Sequence, residues 1–156
     1  MSGECSADMG SRKIALEKEW RKNKNREKPS MQMQYEKCVP CWGVQEIVVA
    51  GRTEGNPFTD YEISATFSNE SEQKRVNGFY DGDGRYIVRF MPSFEGTYEF
   101  TVEGTALEDV GAVRENRSGS FEVTTPEEGN HGPVHVANTF HFAYADGTPY
   151  YSIGTT

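Results

Sequence analysis

The sequence lacks the features that mark several common protein classes. No stretch of its 156 residues approaches the roughly 18 consecutive apolar residues of a membrane-spanning helix, so we expect no membrane partner. Met1 to Lys28 contains no apolar core of a secretory signal peptide. There is no G-x-S-x-G elbow, no phosphate-binding Walker loop and no Cys/His nucleophile pair in a suitable context. We therefore expect no complete catalytic site and no catalytic residue in this chain.

Cysteine is scarce, and its few positions do not form a recognisable site. Of the three cysteines, Cys5, Cys38 and Cys41, the last two are spaced as C-x-x-C. A zinc site would need a second ligand pair, and a thioredoxin-like redox motif would need a surrounding βαβ pattern. Since neither is present, we expect incidental thiols.

Histidines and a pair of aspartates suggest metal ligands but do not complete a site. His131 and His135 would lie about 13 Å apart in an extended chain, too far to share an ion without a turn, and His141 is accompanied by no carboxylate pattern. Asp81-Gly-Asp83-Gly resembles the start of a calcium loop but lacks the later ligands and the flanking helices of an EF-hand. We expect structural or exposed histidines, a hairpin turn at Asp81–Gly84, and no metal or other cofactor. Structural calcium at Asp81 and Asp83 stays open.

Charge divides the chain into two parts. The net charge is -8, which is the sum of +3 over residues 1–37 and -11 over residues 38–156. An acidic body repels phosphate backbones, so we expect no nucleic-acid partner. Residues 1–37 are predicted to be a basic extension, either disordered or weakly helical over Ser11–Lys28, where apolar residues are too few for a buried stripe.

From about Tyr35 the pattern changes to short strands separated by turns. Tyr61–Phe67 alternates apolar and polar residues, as a half-buried antiparallel strand does. Asp81–Gly84 supplies the Asp-Gly steps of a tight hairpin between predicted strands at Lys74–Tyr80 and Arg85–Phe90. Further strands are predicted at Trp42–Val49, Thr97–Val102, Ser118–Val123, Val134–Ala137, Phe140–Tyr144 and Tyr150–Thr156. Evenly spaced short strands predict an all-β, immunoglobulin-like antiparallel β-sandwich over residues 38–126.

Aromatic residues in or beside the loops are candidate sugar contacts. The apolar face of a pyranose packs on an aromatic ring, and Phe58, Tyr61, Tyr80 and Tyr86 are placed where such a contact could form. Core packing is the simpler interpretation for each aromatic in an alternating strand. Phe58, in an Asn-Pro-Phe loop, is the least easily explained by the core.

A series of motifs resembles one known family. The motifs occur in the order Trp42-Gly43, Gly55–Asp60 (GNPFTD), Gly78–Gly84 (GFYDGDG), Arg89–Pro92 (RFMP), Glu95–Tyr98 (EGTY), Gly129–Val134 (GNHGPV) and Phe142–Tyr150 (FAYADGTPY). This pattern resembles the N-terminal β-sandwich known as domain of unknown function 5060, over roughly Cys41–Thr156. In that family the sandwich precedes a (β/α)₈-barrel glycoside hydrolase resembling apiosidase-like enzymes of bacteria.

The resemblance carries several expectations. It implies a non-catalytic accessory sandwich that packs on a glycoside hydrolase barrel, with residues 127–156 forming a linker and the start of that barrel. The family's catalytic acids would lie downstream of Thr156, so none is assigned here. Family members suggest a secreted or periplasmic protein, although no signal peptide is visible. The alternatives are a stand-alone carbohydrate-binding module that binds a polysaccharide, and a protein-interaction or adhesion domain of the same fold.

Overall fold

The computed structural model describes residues 33–107 and 117–154, and the regular secondary structure of this part is almost entirely β-strand. The strands are β1 (Gln34–Tyr35), β2 (Cys38–Pro40), β3 (Gln45–Ala50), β4 (Ser64–Ser68), β5 (Gln73–Asn77), β6 (Phe79–Gly82), β7 (Arg85–Phe90), β8 (Gly96–Glu103), β9 (Ser118–Thr124), β10 (Val134–Val136), β11 (Phe142–Tyr144) and β12 (Pro149–Tyr150). One short 3₁₀ turn, Thr105–Leu107, follows β8. No helix within the described part is long and apolar enough to cross a bilayer.

Two sheets face each other to form the sandwich. One has the strand order β1-β3-β7-β6, and the other has the order β2-β9-β8-β4-β5. Inward and outward residues alternate along the long strands, as in β8, where Tyr98, Phe100 and Val102 are buried between exposed neighbours. This is the pattern of a sheet with one packed and one solvated face. The predicted all-β sandwich is confirmed.

Aromatic side chains join the two sheets. Phe67 of β4 stacks on Phe90 of β7, with ring centroids 4.1 Å apart, so a direct contact crosses the interior. Tyr98 of β8 lies 5.5 Å from Phe90 and also stacks on Phe121 of β9. Few but large side chains therefore fill the core of a chain with only 35% hydrophobic residues.

The predicted strand Lys74–Tyr80 is two strands in different sheets. β5 pairs with β4 in the five-stranded sheet, whereas β6 pairs with β7 in the other. Gly78 lies at the crossing, where its N–H donates to the Ile63 carbonyl at 2.8 Å. A Cβ at this position would lie 2.5 Å from the Ile87 carbonyl oxygen and 2.7 Å from Ile63 Cγ2, so the crossing needs glycine. The hairpin at Asp81–Gly84 is confirmed, with a register shift between Tyr80 and Gly82.

Two pairings near the start of the described chain were not anticipated. β2 pairs with β9 in parallel, which makes it an exception in an otherwise antiparallel sandwich. β1 pairs with β3, so Gln34 and Tyr35, which were assigned to the extension, are strand residues of the sandwich. The predicted helix at Ser11–Lys28 lies outside the described residues.

The sandwich has two ends with different loops. The Phe58 end carries the β3–β4 loop (residues 51–63), the β6–β7 hairpin and the 3₁₀ turn. The Trp42 end carries residues 41–44, 69–72 and 91–95. There the Trp42 N–H donates to the Pro92 carbonyl, and the Asn130 amide donates to the Trp42 carbonyl. The segment leading to β10 is therefore attached to the Trp42 end.

A small third sheet, β10-β11-β12, follows this attachment. β10 confirms the strand predicted at Val134–Ala137 except for its last residue, and β11 confirms the strand predicted at Phe140–Tyr144 from Phe142 onward. The strand predicted over Tyr150–Thr156 is wrong for Tyr151–Gly154: β12 is only Pro149–Tyr150, and no strand continues through those four residues. The reason is pairing, since β11 offers β12 only two partners, Phe142 and Ala143.

A hydrogen-bonded carboxylate stabilises the Trp42 end. Glu72 accepts hydrogen bonds from the Tyr98 hydroxyl at 2.5 Å and the Ser93 N–H at 3.1 Å, and it pairs with Lys74 at 2.5 Å. Burial acts to raise the pKa of Glu72, but the hydrogen bonds from Lys74, Tyr98 and Ser93 outweigh it and hold the pKa below its usual value. Burial, followed by the hydrogen bond to Glu72, raises the pKa of Tyr98.

Candidate functional site

The loop at residues 51–63 holds one aromatic ring out toward solvent. The Asn56 carbonyl accepts from the N–H groups of Thr59 and Asp60, and the Asp60 carboxylate accepts from the Asn56 N–H at 2.8 Å. The Asn56 side chain in turn accepts from the Phe58 N–H at 3.3 Å. These local bonds order the loop, while the Phe58 side chain is 72% exposed.

Phe58 and Tyr80 form a pair that we call the aromatic step. Their ring centroids are 5.1 Å apart in an edge-to-face arrangement, which is the favoured geometry for such pairs. The Tyr80 hydroxyl accepts from the Gly84 N–H at 3.1 Å, so the β6–β7 hairpin fixes this ring. Two of the three residues predicted to contact a glycan, Phe58 and Tyr80, thus touch each other, and the Phe58 ring is the one exposed to solvent.

The third predicted residue, Tyr61, lies at the same end but in a different environment. It is half-buried against the core, and the Arg52 guanidinium lies 5.0 Å from its ring centroid. Tyr86, considered with these residues, is only 1% exposed. Its hydroxyl donates to the Arg52 carbonyl at 2.8 Å, and burial raises its pKa. Tyr86 is therefore a core residue and not a surface contact.

A cleft of about 300 Å³ adjoins Tyr61, and we call it the polar cleft. Arg75 lies on its wall with two nitrogens 3.2 and 3.0 Å from the Ser64 hydroxyl. The Thr105 hydroxyl accepts from the Glu62 N–H at 3.0 Å. The lining residues are Tyr61, Glu62, Ile63, Ser64, Arg75, Asn77, Gly78, Gly104 and Thr105. Sequence reasoning missed this site, since its walls come from segments that are distant in the chain.

The small sheet presents a second surface, the apolar face. Val134 is paired with Tyr144, and Val136 with Phe142, which is also paired with Tyr150. Directly paired residues point to the same side of a sheet, so these five side chains share one face. Val134, Val136 and Phe142 are 41%, 65% and 50% exposed. The opposite face carries Ala143, which is buried.

One histidine–carboxylate pair, His131 and Asp146, has the residue types of a catalytic dyad. His131 Nδ1 lies 2.7 Å from an Asp146 carboxylate oxygen and 3.4 Å from the Thr148 hydroxyl. A hydrogen bond from the Thr148 backbone, followed by the bond from His131, lowers the pKa of Asp146. In a catalytic triad the carboxylate and the nucleophile contact different imidazole nitrogens. Here both contacts fall on Nδ1, so the arrangement is that of a structural pair.

The remaining candidates form no reactive centre. Cys38 is disulfide-bonded and Cys41 is a free, buried thiol, so the two do not form a C-x-x-C dithiol, and the expectation of incidental thiols is wrong for Cys38. Burial raises the pKa of Cys41, which disfavours the nucleophilic thiolate. Asp81 pairs with Arg85 at 2.9 Å within the hairpin. Across residues 33–107 and 117–154, no three histidine, cysteine or acidic side chains are grouped for a metal ion.

Comparison with known proteins connects this fold to a family and to a longer protein. Residues 38–105 match the family model of the domain of unknown function DUF5060. The chain is also similar to a putative glycoside hydrolase from Bacteroides vulgatus ATCC 8482, whose crystal structure it matches with 40% identity and a TM-score of 0.69. The match covers 78% of this chain but 22% of the Bacteroides vulgatus chain, so this chain spans about a fifth of that protein.

Other comparisons add little. The CARDB domain of a Pyrococcus furiosus protein, solved in complex with di-metal ions, matches 61% of this chain and 86% of its own. The identity is 13% and the TM-score 0.35, which supports no structural argument. No curated protein matches the chain.

Proposed function

We propose that this chain, whose residues 38–105 match the DUF5060 family, is a non-catalytic accessory β-sandwich that packs on the catalytic domain of a glycoside hydrolase. The observation that carries the proposal is the apolar face. The small sheet exposes Val136, Phe142 and their neighbours to solvent. Because contact between apolar side chains and water is unfavourable, a contiguous exposed patch of this kind is typical of a surface that another domain covers.

The position of the apolar face supports a partner from the same polypeptide. The face lies on the last strands of the described chain, and the similar Bacteroides vulgatus protein is several times longer than this chain. Domains of one polypeptide bury interfaces that contain both apolar and polar side chains. Tyr151 and Ile153, which follow β12, are also exposed, at 81% and 92%.

The test uses the 156-residue chain and the protein encoded by its complete reading frame. We expect the longer protein to release reducing sugars from a plant polysaccharide and the 156-residue chain to release none after repurification. In the longer protein, Val136→Lys with Phe142→Lys should lower the melting temperature and separate one thermal transition into two. The control Phe58→Lys changes an exposed aromatic side chain at the far end of the sandwich and should leave a single transition.

Three results would overturn the proposal. A reading frame that encodes no further domain would remove the partner. Turnover by the 156-residue chain that survives dilution would make it an enzyme. Identical melting of the longer protein and its double variant would remove the apolar face from the interface.

Carbohydrate binding by the chain itself is a second candidate function, favoured by the aromatic step. An ordered loop that keeps the Phe58 ring 72% exposed provides a flat apolar surface suited to a sugar ring. Slower migration of the chain in a polysaccharide-containing native gel, lost in Phe58→Ala and kept in Phe140→Ala, would support this function. Phe140 is 87% exposed and lies near the small sheet, so it controls for nonspecific stacking.

A further inference from the structure

The polar cleft combines an aromatic wall with uncommitted polar groups. Tyr61 supplies the aromatic ring, and Asn77 and Glu62 are exposed at the cleft. Within the described residues, neither the Asn77 amide nor the Glu62 carboxylate makes a side-chain hydrogen bond. Planar groups of this kind can each donate or accept two hydrogen bonds, which matches the adjacent hydroxyls of a sugar.

Arg75 is held in place before any ligand arrives. Two of its guanidinium nitrogens contact the Ser64 hydroxyl, and Ser64 is itself buried. A guanidinium has five N–H donors, so three remain after these two contacts. The cleft thus presents a positioned donor next to an acceptor, the Glu62 carboxylate, and little reorganisation is needed for binding.

The polar cleft and the aromatic step are close enough to contact one ligand. Phe58 and Tyr61 are three residues apart, and three extended residues span at most about 11 Å. The Arg52 guanidinium lies 5.0 Å from the Tyr61 ring centroid, at the same end of the sandwich. A short oligosaccharide can therefore lie in the cleft with one sugar while another rests on Phe58.

We propose that the polar cleft is the selective subsite for a neutral polysaccharide whose chain continues over the aromatic step. This inference rests on the second candidate function and adds the residues that distinguish one sugar from another. The charge of -11 over residues 38–156 disfavours a polyanionic chain, and both signs of charge at the cleft suit hydroxyls better than carboxylates. Stacking on Phe58 provides affinity, and Glu62, Asn77 and Arg75 provide selectivity.

The experiment is affinity electrophoresis of the 156-residue chain in native gels containing xyloglucan, arabinoxylan, galactomannan or polygalacturonate. We expect at least one of the three neutral polysaccharides to retard the chain, and polygalacturonate to have no effect. Glu62→Gln and Asn77→Ala should each weaken binding by roughly threefold to tenfold, the range for loss of one hydrogen bond. Glu70→Gln is the matched control, because Glu70 is an exposed carboxylate at the other end of the sandwich.

The outcomes distinguish a failure of carbohydrate binding as such from a failure of the polar cleft as its selective subsite. No retardation by any neutral polysaccharide overturns both the carbohydrate function and the cleft. Retardation that depends on Phe58 but is unchanged in Glu62→Gln and Asn77→Ala leaves the function standing and overturns the cleft. Stronger retardation by polygalacturonate overturns the neutral class. Unchanged melting temperatures of the two cleft variants show that any loss of binding is local.

Discussion

At the scale of single residues, Glu72 links three segments of the Trp42 end. Its carboxylate accepts from Tyr98 of β8 and from the Ser93 N–H, and Lys74 of β5 pairs with it. The side chain is only 9% exposed, so these contacts replace water that the carboxylate has lost. Removing the charge takes the carboxylate partner from Lys74, which keeps its hydrogen bond to the Ser93 hydroxyl, and weakens the bonds from Tyr98 and the Ser93 N–H.

We predict that Glu72→Gln lowers the free energy of unfolding by roughly 1–3 kcal/mol at neutral pH. The folded-state pKa of Glu72 is depressed, so its contribution is present above the unfolded-state pKa and is lost as pH falls through the folded value. Urea unfolding of the original chain should therefore show stability falling below about pH 4.5, the ordinary value for glutamate, more steeply than in Glu72→Gln.

Glu70→Gln provides the comparison for this pH series. Glu70 lies two residues away and is exposed, so its neutralisation should change stability within about 0.5 kcal/mol. If Glu72→Gln and the original chain lose stability in parallel on acidification, the Glu72 bonds do not contribute as described.

Individual residues also show the reach of sequence reasoning. Sequence pattern predicted a strand at Thr97–Val102, and the alternation of that strand places Tyr98 and Phe100 in the core. The same pattern says nothing about Glu72, whose partners come from another strand and a loop. The polar cleft could not be predicted for the same reason, because Arg75 and Thr105 come close together only when β4, β5 and β8 are assembled.

At the scale of elements, Gly78 decides where the chain leaves one sheet and enters the other. The run Lys74–Tyr80 contains an Asn77-Gly78 step, a turn signal that the prediction of one continuous strand passed over. Physically, the close approach of Gly78 to the Ile87 carbonyl and to Ile63 ends β5 and starts β6. Sequence reasoning found the Asp81–Gly84 hairpin because Asp-Gly carries a local conformational signal, and Asp83 and Gly84 do adopt positive φ.

We predict that Gly78→Ala destabilises the chain by about 1–3 kcal/mol, the usual effect of overpacking. Its Cβ would lie 2.5 Å from a backbone oxygen, which has little freedom to move. Denaturant unfolding followed by tyrosine and tryptophan fluorescence measures the change. Gly154→Ala is the control, since nothing lies within 4 Å of a Cβ there. Equal stability of the two variants would show that the sheets tolerate a side chain at the crossing.

At the scale of the whole molecule, the two proposed surfaces lie at opposite ends of one sandwich. The aromatic step and the polar cleft are at the Phe58 end, while the small sheet is attached to the Trp42 end through Asn130. The order of motifs in the sequence anticipated the fold and the family, but not this separation. Which loops share an end follows from the strand order, and the strand order depends on pairings such as the parallel β2–β9 contact.

We predict that the 156-residue chain self-associates through the apolar face when no other domain covers it. Among the strands of residues 33–107 and 117–154, β10 is the outer strand of its sheet and pairs with β11 alone, so its other edge and its exposed valines face outward. Sedimentation velocity over a wide concentration range should show reversible association, and Val136→Lys should abolish it. Phe58→Lys should not change it. A concentration-independent monomer for the original chain would contradict this prediction.

The length of β8 sets the distance between the Phe58 end and the Trp42 end of the sandwich. Its eight residues, Gly96–Glu103, run the full height of the sandwich, which is about 27 Å at the usual rise per residue. If a catalytic domain packs on the apolar face as proposed, the sandwich contributes this height to the distance between that domain and the Phe58 end. Under the two proposals together, a polysaccharide held at the Phe58 end would reach the catalytic domain several sugars further along, and its effective concentration there would depend on the stiffness of the glycan.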